Sequence, residues 1–236
     1  MYPEVPGIDL NADLGEEITD DAALLQVVTS ANVACGFHAG SEQVMREVCE
    51  RAAELGVVVG AQVSYADREG FGRRAMEVDP EVLTGWVAEQ VQVLEVVARS
   101  AGTRVRYVKA HGALYNRIAD DPGQAAAVLA GSADLPVLGL PGSVVLALAA
   151  DLGRIVVGEA FPDRGYTPEG RLVARDQPGA LVTTASEVAQ NAVRLADLPD
   201  VATVCVHGDS PGAVDTARAV RAALMGAGLA LRPWAS

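Results

Sequence analysis

Three histidines occur in the 236-residue sequence, and each follows a short apolar run and lies within two residues of a glycine. They are His38 in "ANVACGFHAG", His111 in "VRYVKAHGALYN" and His207 in "ATVCVHGDSPG". Lys109 stands just before His111, and acids stand at comparable places, Asp13 in "NADLGE" and Asp209 beside His207. Three kinds of chemistry suit such a set. Asp13, His38, His111 and Asp209 could together hold zinc or another divalent ion that activates water, although no H-E-x-x-H spacing supports it. An acid/base site needs a carboxylate or imidazole that titrates near the working pH. Lys109 beside His111 is expected to favour neutral imidazole, because like charge disfavours protonation. An anion site is the third. "HGDSPGAV" reads as strand, turn and helix start, where free N–H groups attract a carboxylate or phosphate. Lys109, Arg73 and Arg164 could assist there, and Asp209 opposes it with its own charge. A nucleophile elbow (G-x-S-x-G) and a P-loop (G-x-x-x-x-G-K-[ST]) are both absent.

Positioning these residues requires regular elements. Strand-length apolar runs are "IDLNADL", "TSANVACGF", "GVVVGAQV", "RVRYVKAH", "LPVLGL", "RIVVGEAF" and "VATVCVHG". Helical patterns lie between most of them. "SEQVMREVCERAAELG" carries Val44, Val48, Ala52 and Leu55 at helical spacing and stops at Gly56. Asp79 and Pro80 open a long helix, Thr184 with Glu187 forms a capping box, and Ser210 with Pro211 opens the last helix. Strand–helix alternation means parallel strands buried on both faces. Seven such units fit a closed β/α barrel or an open doubly wound sheet. No G-x-G-x-x-G follows the first strand, so a seven-stranded TIM-like β/α barrel spanning residues 1–236 as one domain is the expected fold.

Both architectures place the site at the carboxyl ends of the strands. The first strand alternates Asp9, Asn11 and Asp13 with Ile8, Leu10 and Ala12, and Asp9 reads as a structural group at the barrel floor. Later strands end in Asn32 and His38, then Gln62, Tyr65 and Asp67. Next come Lys109, His111 and Asn116, then Glu159, Asp163 and Arg164, and last His207 and Asp209. Asp13, His38, Lys109, His111, His207 and Asp209 form the expected catalytic set. Asn11, Asn32, Gln62, Arg73, Asn116, Glu159 and Arg164 are the expected substrate contacts. Two long strand-to-helix loops, "SYADREGFGRRAMEVD" and "PDRGYTPEGRLVARDQPGA", have the length of substrate lids.

Composition narrows the partners. A net charge of −13 argues against nucleic acid and anionic membranes. Cys35, Cys49 and Cys205 form no Cys-x-x-Cys and read as reduced thiols of a cytoplasmic protein. No signal peptide or membrane span is expected, and a homo-oligomer is left open.

"DLNADLGE", "SANVACGFHAG", "KAHGALYN", "EAFPDRGY" and "CVHGDSPGAV" resemble, in this order, the signatures of the LamB/YcsF family, the A subunits of bacterial ATP-hydrolysing 5-oxoprolinase. The resemblance runs from about Asp9 to the last helix. It implies a seven-stranded β/α barrel similar to the polysaccharide-deacetylase superfamily. It implies cleavage of 5-oxo-L-proline to L-glutamate coupled to ATP hydrolysis, in a complex with B and C subunits. In that reading His111 or His207 is the expected acid/base, and Asp13 and Asp209 either orient a histidine or bind magnesium or another divalent ion. The sequence departs from the family pattern at Ala12, Ser41, Gln62, Val63 and Ala110. Gln62 stands where a histidine is usual and removes a possible ligand or base. Two alternatives follow: a metal-dependent amide or deacetylase-type hydrolase acting alone, and a non-catalytic subunit that binds substrate while partners do the chemistry.

Overall fold

The computed structural model describes residues 7–208 and 212–235. Strand β1 (Gly7–Leu14) is buried from Ile8 onward on both of its sides. It is flanked by β2 (Ser30–Ala34) and β7 (Thr203–Val206), both parallel to it. Strands β3 (Val58–Val63), β4 (Val105–Ala110), β5 (Val137–Gly139) and β6 (Val156–Ala160) follow in sequence order, each parallel to its neighbour. The ring closes because β1 pairs with both β2 and β7, giving a seven-stranded parallel barrel. A two-residue strand, β8 (Ala230–Leu231), adds to the start of β1 outside the ring.

Period-2 alternation sets what fills the barrel. Ile8, Leu10 and Ala12 join the apolar layer beneath the helices. Asp9, Asn11 and Asp13 point the other way, and being buried they must be hydrogen-bonded. Asp9 accepts from Thr29, Ser30 and Thr203. Burial outweighs these three hydroxyls and holds the Asp9 carboxyl above its ordinary pKa. One level up, Asn11 donates to Thr203 at 2.6 Å and Asn32 donates to Asn11 at 2.7 Å. Tyr107 donates to Asn32 at 2.7 Å. The Tyr107 ring lies across Gly60, where a Cβ would come within 2.1 Å of it.

The helices are α1 (Asp21–Leu25), α2 (Glu42–Leu55), α3 (Pro80–Ser100), α4 (Gly112–Arg117), α5 (Pro122–Gly131), α6 (Val144–Asp151), α7 (Ala185–Ala196) and α8 (Ala213–Gly226). Asp79 caps α3 through the Glu81 and Val82 amides, and Thr184 caps α7 through Glu187. Gly56, at φ 68°, ends α2 in the left-handed conformation that glycine adopts without steric cost. The buried stripe of α2 is Met45, Val48, Cys49 and Ala52, rotated from the expected one. Leu55 is exposed. Ser210 and Pro211 lie outside the described residues, and α8 begins at Ala213 with Gly212 as its cap. Among the described residues no helix is long and apolar enough to cross a membrane.

Candidate functional site

The carboxyl ends of the strands face a cavity of about 640 Å³. Its floor carries Asp13, Lys109, His111 and His207, and its rim carries Arg73, Arg164 and Arg175. The two long loops cover it. Residues 64–79 bring Tyr65, Arg73 and Met76, and residues 161–184 bring Phe161, Leu172 and Arg175. Bridges between Arg164 and Leu181 and between Tyr166 and Leu172 fold the second loop back on itself. The Arg164 guanidinium holds that fold by donating to the carbonyls of Ala180 at 3.1 Å and Val173 at 2.6 Å.

Lys109 is the only lysine in the sequence, and it is buried at the centre of the floor. Its ammonium sits 3.0 Å from Asp13 Oδ1, 2.9 Å from Glu159 Oε1 and 3.1 Å from Cys205 Sγ. The ammonium donates to Asp13 and Cys205, while Glu159 is an ion-pair contact whose buried oxygens have no hydrogen-bond partner. Burial alone would favour neutral lysine, but its acidic neighbours, Asp13 first, outweigh it and hold the pKa well above the ordinary value. The reverse balance acts on Asp13. Burial pushes its carboxyl up, and Lys109, then His207 and His111, pull it well below the usual range. Asn32 adds a hydrogen bond to Asp13 of 2.9 Å. Lys109 is therefore a countercharge for two carboxylates and also part of the cavity lining, where it was expected to hold an anion.

His207 and Asp163 form the second unit. Asp163 Oδ2 lies 2.8 Å from His207 Nδ1 and accepts from the His207 backbone N–H at 3.2 Å. The imidazole stacks on Phe161 with centroids 5.2 Å apart. Burial would lower the His207 pKa, but Asp163 overcomes it and raises the value. Asp163 is held below the usual carboxylate range, since His207 outweighs its burial. A carboxylate on Nδ1 fixes the ring and leaves Nε2 for proton transfer.

The third unit lies where β1, β2, β3 and β4 end. His38 and His111 stack face to face, 4.0 Å between centroids and 10° between planes. Glu16 Oε1 is 3.5 Å from His38 Nε2 and 3.4 Å from His111 Nδ1. Gln62 Nε2 donates to Glu16 Oε1 at 3.0 Å and lies 2.9 Å from His111 Nδ1. Beyond it, His111 Nε2 is 3.1 Å from the Phe71 carbonyl. Phe71 takes φ 56°, and Gly112 follows at φ 60° with the Gly72 oxygen 2.4 Å from where its Cβ would be. The pKa of His111 is well below the ordinary value, first through burial, then through His38. This direction is the one expected for His111, but its causes are burial and His38, and Lys109 is not among them.

Glu16, His38 and His111 present ligand atoms within 4.8 Å of one another, the geometry sought for a divalent metal. The arrangement does not fit one. An imidazole lone pair lies in its ring plane, and nearly parallel planes do not converge on one ion. Gln62 also directs N–H groups at two of the three ligand atoms. Magnesium prefers oxygen ligands, and Lys109 and Asn32 already engage Asp13 Oδ1. Both His38 ring nitrogens lack a hydrogen-bond partner, which ring stacking does not compensate.

The expected residues thus divide. Asp13, Arg73, Lys109, His111, Asn116, Arg164 and His207 line the cavity. Asn11, Asn32, Gln62, His38 and Glu159 are buried and are not part of its lining. Asp209 lies outside the described residues. Sequence reasoning passed over Glu16, Asp163, Phe161, Tyr115 and Arg175 as site residues. A strand-exit position was the available signal for Glu16 and Asp163, but carboxylates are common in loops.

Residues 8–236 match the LamB/YcsF family. The 5-oxoprolinase A subunit of Streptomyces avermitilis is 55% identical over 97% of this chain and all of that relative. That of Mycobacterium marinum is 49% identical, covering 97% of this chain and 99% of the relative. The crystal structure of a lactam utilization protein from Thermus thermophilus superposes with a TM-score of 0.87 at 38% identity, covering 96% of this chain and 99% of that one. A peptidoglycan N-acetylglucosamine deacetylase domain from Eubacterium rectale shares the fold, with a TM-score of 0.58 at 12% identity over all of this chain and 91% of that one. With a family match across the barrel and relatives this similar over their whole length, the chain belongs to the LamB/YcsF family.

Proposed function

We propose that this chain is the A subunit of a cytoplasmic 5-oxoprolinase, which opens 5-oxo-L-proline to L-glutamate with hydrolysis of ATP, in a complex with B and C subunits. The similarity to relatives named as A subunits supports the assembly. The observation that carries a hydrolytic role is the Asp163-oriented His207 at the wall of a 640 Å³ cavity. A five-membered lactam is an unreactive amide, and phosphorylation of its oxygen by ATP would supply a leaving group. Arg73 and Arg175 at the rim suit the substrate carboxylate and the added phosphoryl charge. His207 takes a proton from water as its oxygen adds to the ring carbonyl carbon. The imidazolium, stabilised by Asp163, then returns the proton to the ring nitrogen as the C–N bond breaks, leaving γ-glutamyl phosphate, which a second water cleaves to glutamate and phosphate. His111 is less suited to this task, since both of its ring nitrogens are engaged.

The test is ADP and glutamate release by the purified chain, alone and with its B and C partners, with and without 5-oxoproline. Release that requires substrate and all subunits is expected. No release in any combination would overturn the proposal. In the active complex, full activity of His207→Asn would transfer the chemistry to the partners and leave this chain a binding component.

A further inference from the structure

We propose that Gln62 bridges Glu16 and His111 with its two amide N–H groups and thereby holds His111 as its neutral Nε2–H tautomer. Gln62 is fully buried at the end of β3, in register with Lys109. Its Nε2 has two hydrogens and two acceptors in reach, Glu16 Oε1 at 3.0 Å and His111 Nδ1 at 2.9 Å. The opposite amide orientation would set the Gln62 carbonyl oxygen against the Glu16 carboxylate, acceptor against acceptor, whereas this one leaves that oxygen buried without a hydrogen-bond partner. With N–H inward, His111 Nδ1 must accept, so the ring proton resides on Nε2. That is the nitrogen facing the Phe71 carbonyl at 3.1 Å. The same hydrogen-bond path therefore runs from Glu16 through Gln62 and His111 to Phe71, tying the ends of β1, β3 and β4 to the loop over the cavity.

A neutral, fixed His111 also explains the stack. Two imidazolium rings 4.0 Å apart would repel, whereas one neutral ring can lie against another. The groups facing His111 from neighbouring elements are Glu16 and Asp13 beyond and on β1, His38 after β2, and Arg73 in the 64–79 loop. Gln62 is a positioning residue in this account, since it lines no part of the cavity. The inference stands on local geometry and holds whatever reaction the cavity serves.

Two measurements on the full chain test it. The first is the ¹⁵N spectrum of the imidazoles at neutral pH, where a pyridine-like and a pyrrole-like nitrogen resonate far apart. In the wild-type chain His111 is expected with Nδ1 pyridine-like and Nε2 pyrrole-like. A proton on Nδ1, or on both nitrogens, would overturn the proposal. Gln62→Leu should abolish this single-tautomer signature, and an unchanged His111 signature in a folded Gln62→Leu chain would also overturn it. The second is metal content after incubation with excess zinc and removal of the unbound ion. Substoichiometric zinc is expected, and one retained ion per wild-type chain would overturn the proposal. Both wild-type readouts stay decisive if Gln62→Leu fails to fold.

Discussion

Replacing Lys109 by methionine tests the electrostatic core of the barrel most directly. Methionine keeps a linear, apolar side chain of similar length and removes only the ammonium. In the parent chain that ammonium meets Asp13 at 3.0 Å and Glu159 at 2.9 Å, with all three side chains at most 5% exposed. Leaving buried carboxylates without their countercharge costs about 3–5 kcal/mol. At about 2–4 °C per kcal/mol for a chain of this size, the melting temperature should fall by roughly 6–20 °C at neutral pH. The pH dependence carries the sign. In the parent, the lowered Asp13 pKa contributes stability that is present above the ordinary carboxylate range and lost only as pH falls through the lower folded value. Without Lys109, burial becomes the dominant influence and raises the Asp13 pKa. The folded variant then binds a proton more readily than the unfolded chain, and its deficit shrinks as pH is lowered toward the carboxylate range. Urea unfolding at neutral and mildly acidic pH reads both effects. A loss below about 1 kcal/mol, or a deficit that does not shrink on acidification, would refute the reasoning.

Other predictions rest on separate features. His207→Asn should reduce ring opening in the assembled enzyme by roughly a hundred- to ten-thousand-fold with the fold intact by circular dichroism. Asp163→Asn removes the carboxylate that keeps the His207 pKa up, so the pH–rate limb that depends on imidazolium should move to lower pH. Gly112→Ala forces a Cβ to 2.4 Å from the Gly72 oxygen at φ 60° and should cost about 1–3 kcal/mol in urea unfolding. Burial raises the thiol pKa of Cys35, of Cys205 and, to about 12, of Cys49. A disulfide reagent should therefore react slowly with the native chain and rapidly after unfolding.

Much of this architecture is legible before any coordinates are seen. The alternation of Asp9, Asn11 and Asp13 with Ile8, Leu10 and Ala12 is a period-2 signal, and a strand buried on both sides has to obey it. Asp79–Pro80 and Thr184–Glu187 mark helix starts because capping is chemistry within four residues. The three histidines at strand exits point to the cavity for a similar reason, since parallel barrels place all strand exits on one face. The α2 stripe was displaced because Val44, Met45, Val48 and Cys49 offer two adjacent apolar rows, and only packing on the barrel chooses between them.

The strand–helix order, the parallel pairing and the face on which reactive groups gather are written in the chain, while closure through β1 pairing with both β2 and β7 is a tertiary outcome. The first three follow from local periodicity, local capping and the handedness of strand–helix–strand units. The partners of each reactive group are chosen by the folded arrangement instead. Lys109 pairs with Asp13 and Glu159, Gln62 directs its amide at His111 and Glu16, and Asp163 orients His207. Each of these pairs joins residues far apart in the chain. Their distances depend on strand stagger and on how two long loops fold back, and no pattern of residue types along the chain encodes a separation of about 3 Å rather than about 6 Å across a barrel mouth.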